Sequence, residues 1–146
     1  MSKTLPLETT IEVRGTCLCL HAQRAARALA RRFDEALRPT GLTTGQFTLL
    51  TALNRPQPPA IGPVAQLLAM DRTTLTAALK PLERDGLVTI GTDPKDRRNR
   101  LLTLTGKGHE VLIAAVSIWR DTHAAVEAAL PTLNSDALRA ALNALV

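Results

Sequence analysis

The spacing of apolar side chains predicts a mainly helical protein. From about Glu8 to Leu37, apolar and small residues recur every three or four positions with arginines between them, which predicts one long first helix. We interpret those arginines as a solvated face. After RPTG, Thr43 or Thr44 is suited to cap a second helix, which the proline-rich NRPQPPAIGP ends. The inward positions of the second helix are Phe47, Leu50 and Leu53.

Two closely spaced helices follow and predict a helix-turn-helix. The segment PVAQLLA begins at Pro63, whose missing N–H costs nothing in the first turn of a helix. Asp71 is suited to cap the next helix, RTTLTAALKPLERD, which we expect to end at Gly86. Pro81 lies inside this helix and removes the N–H that would bond to Ala77, which predicts a bend toward the C-terminal end.

After Gly86 the apolar spacing changes from helical to alternating, which predicts a β-hairpin. LVTIG and RLLTLT flank the charged loop TDPKDRRNR at a length suited to such a turn. Thr105 is then suited to cap a long fifth helix, and a last helix, SDALRAALNALV, follows Pro131. The predicted fold class is therefore mostly α with a small β-hairpin wing, a winged helix-turn-helix.

The composition is that of a folded protein. The 146 residues suit one domain, and 45% of them are hydrophobic, which is ample for a core. No apolar run approaches the roughly 18 residues that span a bilayer, and the first ten residues lack a signal peptide's apolar stretch, so we expect a cytoplasmic protein without a membrane partner. The net charge of +5 favours polyanionic partners.

Basic side chains crowd the tip of the predicted wing. A hairpin tip bearing Lys95, Arg97, Arg98 and Arg100 can insert a guanidinium into a narrow minor groove, where the negative potential is strongest. We choose Arg98 for that contact and interpret Asp96 as the carboxylate that orients it. A solvated hairpin tip is the alternative.

The start of the second helix of the helix-turn-helix predicts a second contact with double-stranded DNA. Arg72, Thr73, Thr74 and Thr76 occupy its first turns, where hydroxyls and main-chain N–H groups can meet phosphates and base edges. Some of these threonines can instead serve only as caps.

Cys17, Cys19 and His21 lie in TCLCLHAQ and would suit a metal only on a strand. On the predicted helix, residues two apart point about 200° from each other, which prevents convergence on one ion and disfavours a disulfide between the two cysteines. We interpret both cysteines as small packing groups and expect no metal or other cofactor.

The last helix carries more apolar surface than one packing face requires, so the sequence predicts a homodimer in which a partner chain covers it. The positions concerned are Ala137, Leu138, Ala140, Ala141, Leu142, Ala144 and Leu145.

Three stretches together resemble a known family. GLTTGQFTLL, MDRTTLTAALKPLERDGLV and DPKDRRNRLLTLTGKG follow each other in the order and spacing of the MarR family, the multiple antibiotic resistance type of winged-helix transcriptional regulators, from about residue 10 to the end. A threonine-rich helix start, an L-E-x-x-G-L-V exit and a D-P-x-D-R-R wing followed by L-T-x-x-G make the resemblance specific.

The resemblance implies a homodimer whose recognition helices enter successive major grooves while the wings reach adjacent minor grooves. It implies one MarR-type domain over residues 1–146, with a DNA-binding lobe at about 40–104 flanked by dimerisation helices at about 8–38 and 105–146. Trp119 in the fifth helix would join the interface. Relatives often carry an arginine where this chain has Ala77, so one DNA contact is absent here.

We therefore predict a ligand-responsive repressor that binds a pseudo-palindromic operator. Family members commonly sense phenolic or lipophilic molecules between the dimer helices and the DNA-binding lobes. The side chains of this sequence suited to line such a cleft are His21, Arg24, Trp119, Arg120 and His123.

Three other functions compete with this prediction. Cys19 lies where the organic hydroperoxide sensors of the family place a reactive thiol, but the chain has no tyrosine to stabilise a thiolate. A winged helix that binds protein rather than DNA is the second alternative, and the basic wing tip argues against it. An enzyme is not expected, because His21, His109 and His123 are scattered and no phosphate-binding loop or metal spacing accompanies them.

Overall fold

The computed structural model of the protein describes residues 3–130, 132 and 134–146. Within these ranges, seven α-helices and one antiparallel hairpin confirm the mostly α fold with a wing. Pro131, which the sequence places before the last helix, lies outside the described residues. The elements are α1 (Leu7–Thr16), α2 (Leu18–Leu37), a 3-10 turn (Arg38–Thr40), α3 (Thr44–Leu53), α4 (Ile61–Leu67), α5 (Arg72–Arg84), β1 (Val88–Thr92), β2 (Arg100–Leu104), α6 (Gly106–Ala128) and α7 (Ser135–Asn143).

The prediction of one long first helix is wrong, because the backbone leaves the helix at Cys17. This residue is extended, with φ −67° and ψ 111°, and its Sγ accepts the N–H of Leu20 at 3.4 Å to cap α2. Before the break, Gly15 weakens the helix and the Thr16 hydroxyl donates to the carbonyl of Glu12 at 2.8 Å. The spacing of apolar residues carries no information about such local bonds, so the helix predicted from it continued through Cys17.

The helices α3 and α4 begin for different reasons. Of the two candidate caps, Thr43 and Thr44, it is Thr43 that caps α3, in a reciprocal box with Gln46. The helix α4 begins at Ile61, two residues before the predicted start at Pro63, because Ala60 is extended and bridges to Leu101 of β2. Pro63 still lies within the first turn, where its missing N–H leaves no bond unmade.

The helix α5 and the wing follow the prediction closely. Asp71 caps α5, which continues through Pro81 to Arg84 before Gly86 turns the chain with φ 75°. The strands pair from Val88 opposite Leu104 to Thr92 opposite Arg100. Thr105 then caps α6, as predicted, and α7 ends at Asn143, three residues before the predicted end.

The hydrophobic core lies in the winged-helix lobe and against α6. Leu37, Leu50, Leu75, Leu82 and Leu102 are each fully inaccessible to solvent, and they join the end of α2 to α3, α5 and β2. Neither α1 nor α7 has a buried residue. Apolar side chains such as Ile11 of α1 and Leu142 of α7 are therefore exposed in the single chain.

No helix in the described ranges is both long enough and apolar enough to cross a membrane.

Candidate nucleic-acid interface

The start of α5 is fixed by its capping residue. Asp71 accepts the Thr74 N–H at 2.7 Å through Oδ1 and the Thr74 hydroxyl at 2.8 Å through Oδ2. These two bonds lower the pKa of the Asp71 carboxyl below its ordinary 3.8, and the bond from the Thr74 main chain has the larger effect. Because the folded pKa is lowered, the cap stabilises α5 fully above the unfolded pKa and is lost as pH falls through the folded value.

The predicted contact residues of α5 divide into two kinds. Thr74 is committed to the cap, and Thr76 donates its hydroxyl to the carbonyl of Arg72 at 2.8 Å. Thr73 is exposed on the first turn, and its hydroxyl has no protein partner among the described residues. Of the three hydroxyls, that of Thr73 is therefore the one whose proton remains available to an external group.

Two aspartates shape the wing tip through main-chain bonds. Asp93 Oδ1 accepts the N–H of Lys95 at 2.9 Å, and Asp96 Oδ1 accepts the N–H of Arg98 at 3.0 Å. The tip is closed by the Asn99 N–H on the Asp96 carbonyl at 2.9 Å and by the Asp93 N–H on the Asn99 carbonyl at 3.0 Å. The loop is thus an ordered turn held by Asx bonds.

Arg98 projects from this turn into solvent. Its side chain is 94% exposed, and its Nε lies 3.5 Å from Oδ1 of Asp96. Asp96 therefore contacts both the main-chain N–H and the guanidinium of Arg98, which is the geometry that the proposed orienting role requires. Arg100 is held differently, because its Nη1 donates to the hydroxyl of Thr92 at 3.0 Å across the hairpin.

Four of the predicted DNA-contact residues line one cleft of about 340 Å³, which lies between the start of α4, α5 and the wing. Arg72 and Thr76 line it from α5, and Arg98 and Arg100 line it from the wing. Lys95 and Arg97 are exposed but do not line the cleft, and neither do Thr73 and Thr74. The sequence did not single out for DNA contact the other five lining positions, which are Ala60, Ile61, Gly62, Pro63 and Asn99.

A second cavity, of about 510 Å³, lies between α3, α4 and α6. Of the residues that the sequence suggested for an effector cleft, Trp119 and Arg120 line it, whereas His21 and Arg24 do not. His123 lines a neighbouring space of about 530 Å³ that shares Trp119 and Arg120. Arg55, two residues after the end of α3, is a cationic lining residue that the sequence did not single out.

An aromatic stack leads away from this cavity. The Phe47 and Trp119 ring centroids are 6.2 Å apart, and those of Trp119 and His123 are 4.8 Å apart. His123 Nδ1 lies 2.8 Å from Oε1 of Glu127. The Ser135 side chain is the main cause of the lowered pKa of the Glu127 carboxyl, which links these contacts to the start of α7.

The interpretation of both cysteines as packing groups is wrong for Cys19, which is exposed in the single chain, whereas Cys17 is half-buried. His21 turns its Nδ1 to the carbonyl of Cys17 at 2.7 Å rather than to a thiol. Across the described ranges, no cluster of three or more His, Cys, Asp or Glu side chains is placed to hold a metal ion.

Comparison with known proteins agrees with the geometry. A model of the MarR family matches residues 40–99. The transcriptional activatory protein BadR of Rhodopseudomonas palustris is 37% identical over 91 residues, which are 60% of this chain and 52% of BadR. The chain spans about half the length of the first curated relatives that it matches.

Two solved structures extend the likeness over nearly the whole chain. The M. tuberculosis transcriptional regulator MosR, in complex with DNA, is 35% identical with a TM-score of 0.81. The match covers 89% of this chain and 93% of the MosR chain. The transcriptional repressor CouR, bound to a 23-mer DNA duplex, is 27% identical with a TM-score of 0.72 over 98% of this chain and 96% of its own.

A helix-turn-helix followed by a cationic hairpin wing defines the class of winged helix-turn-helix transcriptional regulators. Within that class, the chain belongs to the MarR family. Transcription regulators of this family are not enzymes, which confirms the expectation that this chain is not one.

Proposed function

We propose that the chain is a homodimeric, ligand-responsive repressor that binds a pseudo-palindromic operator in double-stranded DNA. The observation that carries the DNA-binding part is the cleft between α5 and the wing, where Arg72, Arg98 and Arg100 meet and no lining residue is a carboxylate. In this proposal, residues 40–104 form the DNA-binding lobe of one MarR-type domain. Residues 8–38 and 105–146 form the dimerisation helices.

The two elements of the lobe have separate tasks on DNA. The exposed start of α5 enters the major groove, with Thr73 on base edges and Thr74 and Asp71 fixing the helix. The wing inserts Arg98 into the adjacent minor groove, while Lys95 and Arg97 neutralise nearby phosphates. Repression rather than activation is supported by the CouR likeness over 98% of the chain, although BadR is named as an activator.

Selection of bound fragments from a random DNA pool, followed by footprinting, tests the DNA-binding proposal. We expect protection of two half-sites about one helical turn, ~10 bp, apart, because a two-fold protein imposes that spacing. Binding should weaken steeply with salt. Protection of a single half-site would contradict the homodimer, and failure to retain any DNA would favour a protein-binding winged helix.

The cavity between α3, α4 and α6 supports the ligand response. Phe47, Leu68 and Trp119 give it an apolar wall, and Arg55 and Arg120 add two cations. A phenolic or lipophilic effector with an acidic group fits this combination, because its ring would stack on Trp119 and its charge would pair with a guanidinium. Since α4 immediately precedes the recognition helix, a molecule wedged between α4 and α6 would change the position of α5.

Trp119 allows a direct test, because it is the sole tryptophan of the chain. We expect phenolic acids to change the Trp119 fluorescence and to release the operator over the same concentration range. Their uncharged amides should bind more weakly. Arg120→Ala should weaken binding of the acid by about tenfold, the usual effect of removing one charge-assisted bond, and should leave the amide unaffected. Equal loss for acid and amide would show that Arg120 does not pair with the acidic group.

The exposed Cys19 keeps a redox-sensing regulator as the second candidate. The variant Cys17→Ser with Cys19→Ser separates the two functions in the same release experiment. Under our proposal, release by a phenolic acid persists in this variant. If peroxide released the wild-type protein from DNA but did not release the variant, the effector would be an oxidant and not a phenolic ligand.

A further inference from the structure

Gly62, the second residue of α4, lies against the end of the Arg72 side chain. A Cβ built on Gly62 would be 2.8 Å from Nη2 of Arg72 and 3.6 Å from its Cζ. Real Cβ atoms essentially never approach another heavy atom as closely as the first distance. The guanidinium of Arg72 thus occupies the space that any side chain at position 62 would require.

This contact sets the direction of Arg72. Its backbone lies in the first turn of α5, but its guanidinium reaches back across the turn to α4 and lines the cleft rather than extending along α5. From the other wall, Arg98 and Arg100 line the same cleft. Glycine at position 62 is therefore what permits α5 and the wing to contribute cations to one space.

The cleft has the chemistry of an anion site. Arg72, Arg98 and Arg100 line it without a carboxylate among the lining residues, and like charges close together repel until an anion enters. Of the nearest aspartates on the same elements, Asp71 bonds to Thr74, and Asp96 bonds to the Arg98 N–H and lies 3.5 Å from the Arg98 Nε, so neither is paired with Arg72 or Arg100. A volume of about 340 Å³ accommodates a phosphodiester group, whose unesterified oxygens match the planar guanidinium.

We propose that Gly62 is a positioning residue for DNA binding. By lacking a side chain, it leaves room for the Arg72 guanidinium in the cleft, where Arg72 and Arg100 together bind one phosphate of the DNA strand that passes between the recognition helix and the wing, while Arg98 enters the adjacent minor groove. The proposal rests on the proposed function and adds to it a phosphate site and the glycine that shapes it.

Gly62→Ala separates this role from a role in folding. The atom that a new methyl group would meet is the far end of a flexible side chain, so Arg72 moves aside and the fold is kept. Alanine also favours a helix more than glycine does. We therefore expect the melting temperature of Gly62→Ala to equal or exceed that of the wild type.

DNA binding should nevertheless fall. On a selected operator, measured by fluorescence anisotropy at several salt concentrations, Gly62→Ala should bind about three- to tenfold more weakly, and its salt slope should shrink by up to about 1, the effect of one phosphate contact. Gly45→Ala is the matched control, because it also adds a methyl group to a helical glycine, with its nearest neighbour at an ordinary 3.9 Å. It should bind as the wild type does.

A double-mutant cycle decides whether Gly62 acts through Arg72. Arg72→Ala should weaken binding by about tenfold, and adding Gly62→Ala to it should cost nothing further. The inference would be overturned if Gly62→Ala bound DNA as tightly as the wild type, or if it lost the same affinity in the presence and in the absence of the Arg72 side chain. In either case, DNA binding by the wild-type protein would still uphold the proposed function. A wild type that does not bind DNA would overturn both.

Discussion

Arg98→Ala is expected to weaken operator binding by about 1 to 3 kcal/mol while sparing most of the sequence preference. The side chain is 94% exposed and projects from an ordered turn, so its removal costs the fold little. A minor-groove guanidinium responds to groove width and potential more than to base identity. The affinity for the operator and for single-base variants should therefore fall in parallel, and the salt slope should shrink.

Asp96→Ala tests how Arg98 is positioned. Deleting a carboxylate from a DNA-binding surface should strengthen binding if only net charge mattered. We expect weaker binding instead, because Asp96 Oδ1 contacts both the N–H and the Nε of Arg98. The matched control is Asp93→Ala, which removes the same charge and an equivalent main-chain bond, that to the Lys95 N–H.

The comparison of the two aspartates at two salt concentrations is decisive. If Asp96 orients Arg98, Asp96→Ala loses more affinity than Asp93→Ala, and Asp96→Asn, which keeps an oxygen acceptor, recovers part of the loss. If Asp96→Ala binds DNA more tightly than the wild type, the carboxylate only repels DNA.

Much of the fold could be predicted because its helix and strand boundaries are set locally. Thr43, Asp71 and Thr105 cap their helices as the sequence suggested, since a cap depends on one side chain and the N–H groups two or three residues on. The wing was equally predictable, because a change from helical to alternating spacing around a charged turn is typical of a β-hairpin.

The features that escaped prediction depend on contacts between distant or weakly patterned groups. The break at Cys17 arises from side-chain bonds that compete with the helix, and apolar periodicity is blind to them. The start of α4 depends on pairing between Ala60 and Leu101. Likewise, no local pattern relates Gly62 to Arg72, since the contact exists only after α4 and α5 have packed.

Leu142→Glu is expected to convert the protein from a dimer to a monomer. The protomer mass is 15.7 kDa, so light scattering should give about 31 kDa, twice that value, for the wild type. Apolar side chains stand exposed on the first and last helices, including Ile11 at 49% and Leu142 at 48%, and Leu145, just after α7, is 67% exposed. A partner chain that buries them would have to desolvate the introduced carboxylate without a countercharge, which destabilises the assembly.

Loss of the dimer should be more damaging to DNA binding than loss of any one contact. Two linked lobes bind the second half-site at a high effective concentration, so a monomer is expected to bind the full operator about 10²- to 10⁴-fold more weakly. Leu67→Glu is the matched control, because Leu67 is 60% exposed on α4 and lies outside the terminal helices. It should remain a dimer. A Leu142→Glu protein that scatters as a dimer and keeps its affinity would place the interface away from α7.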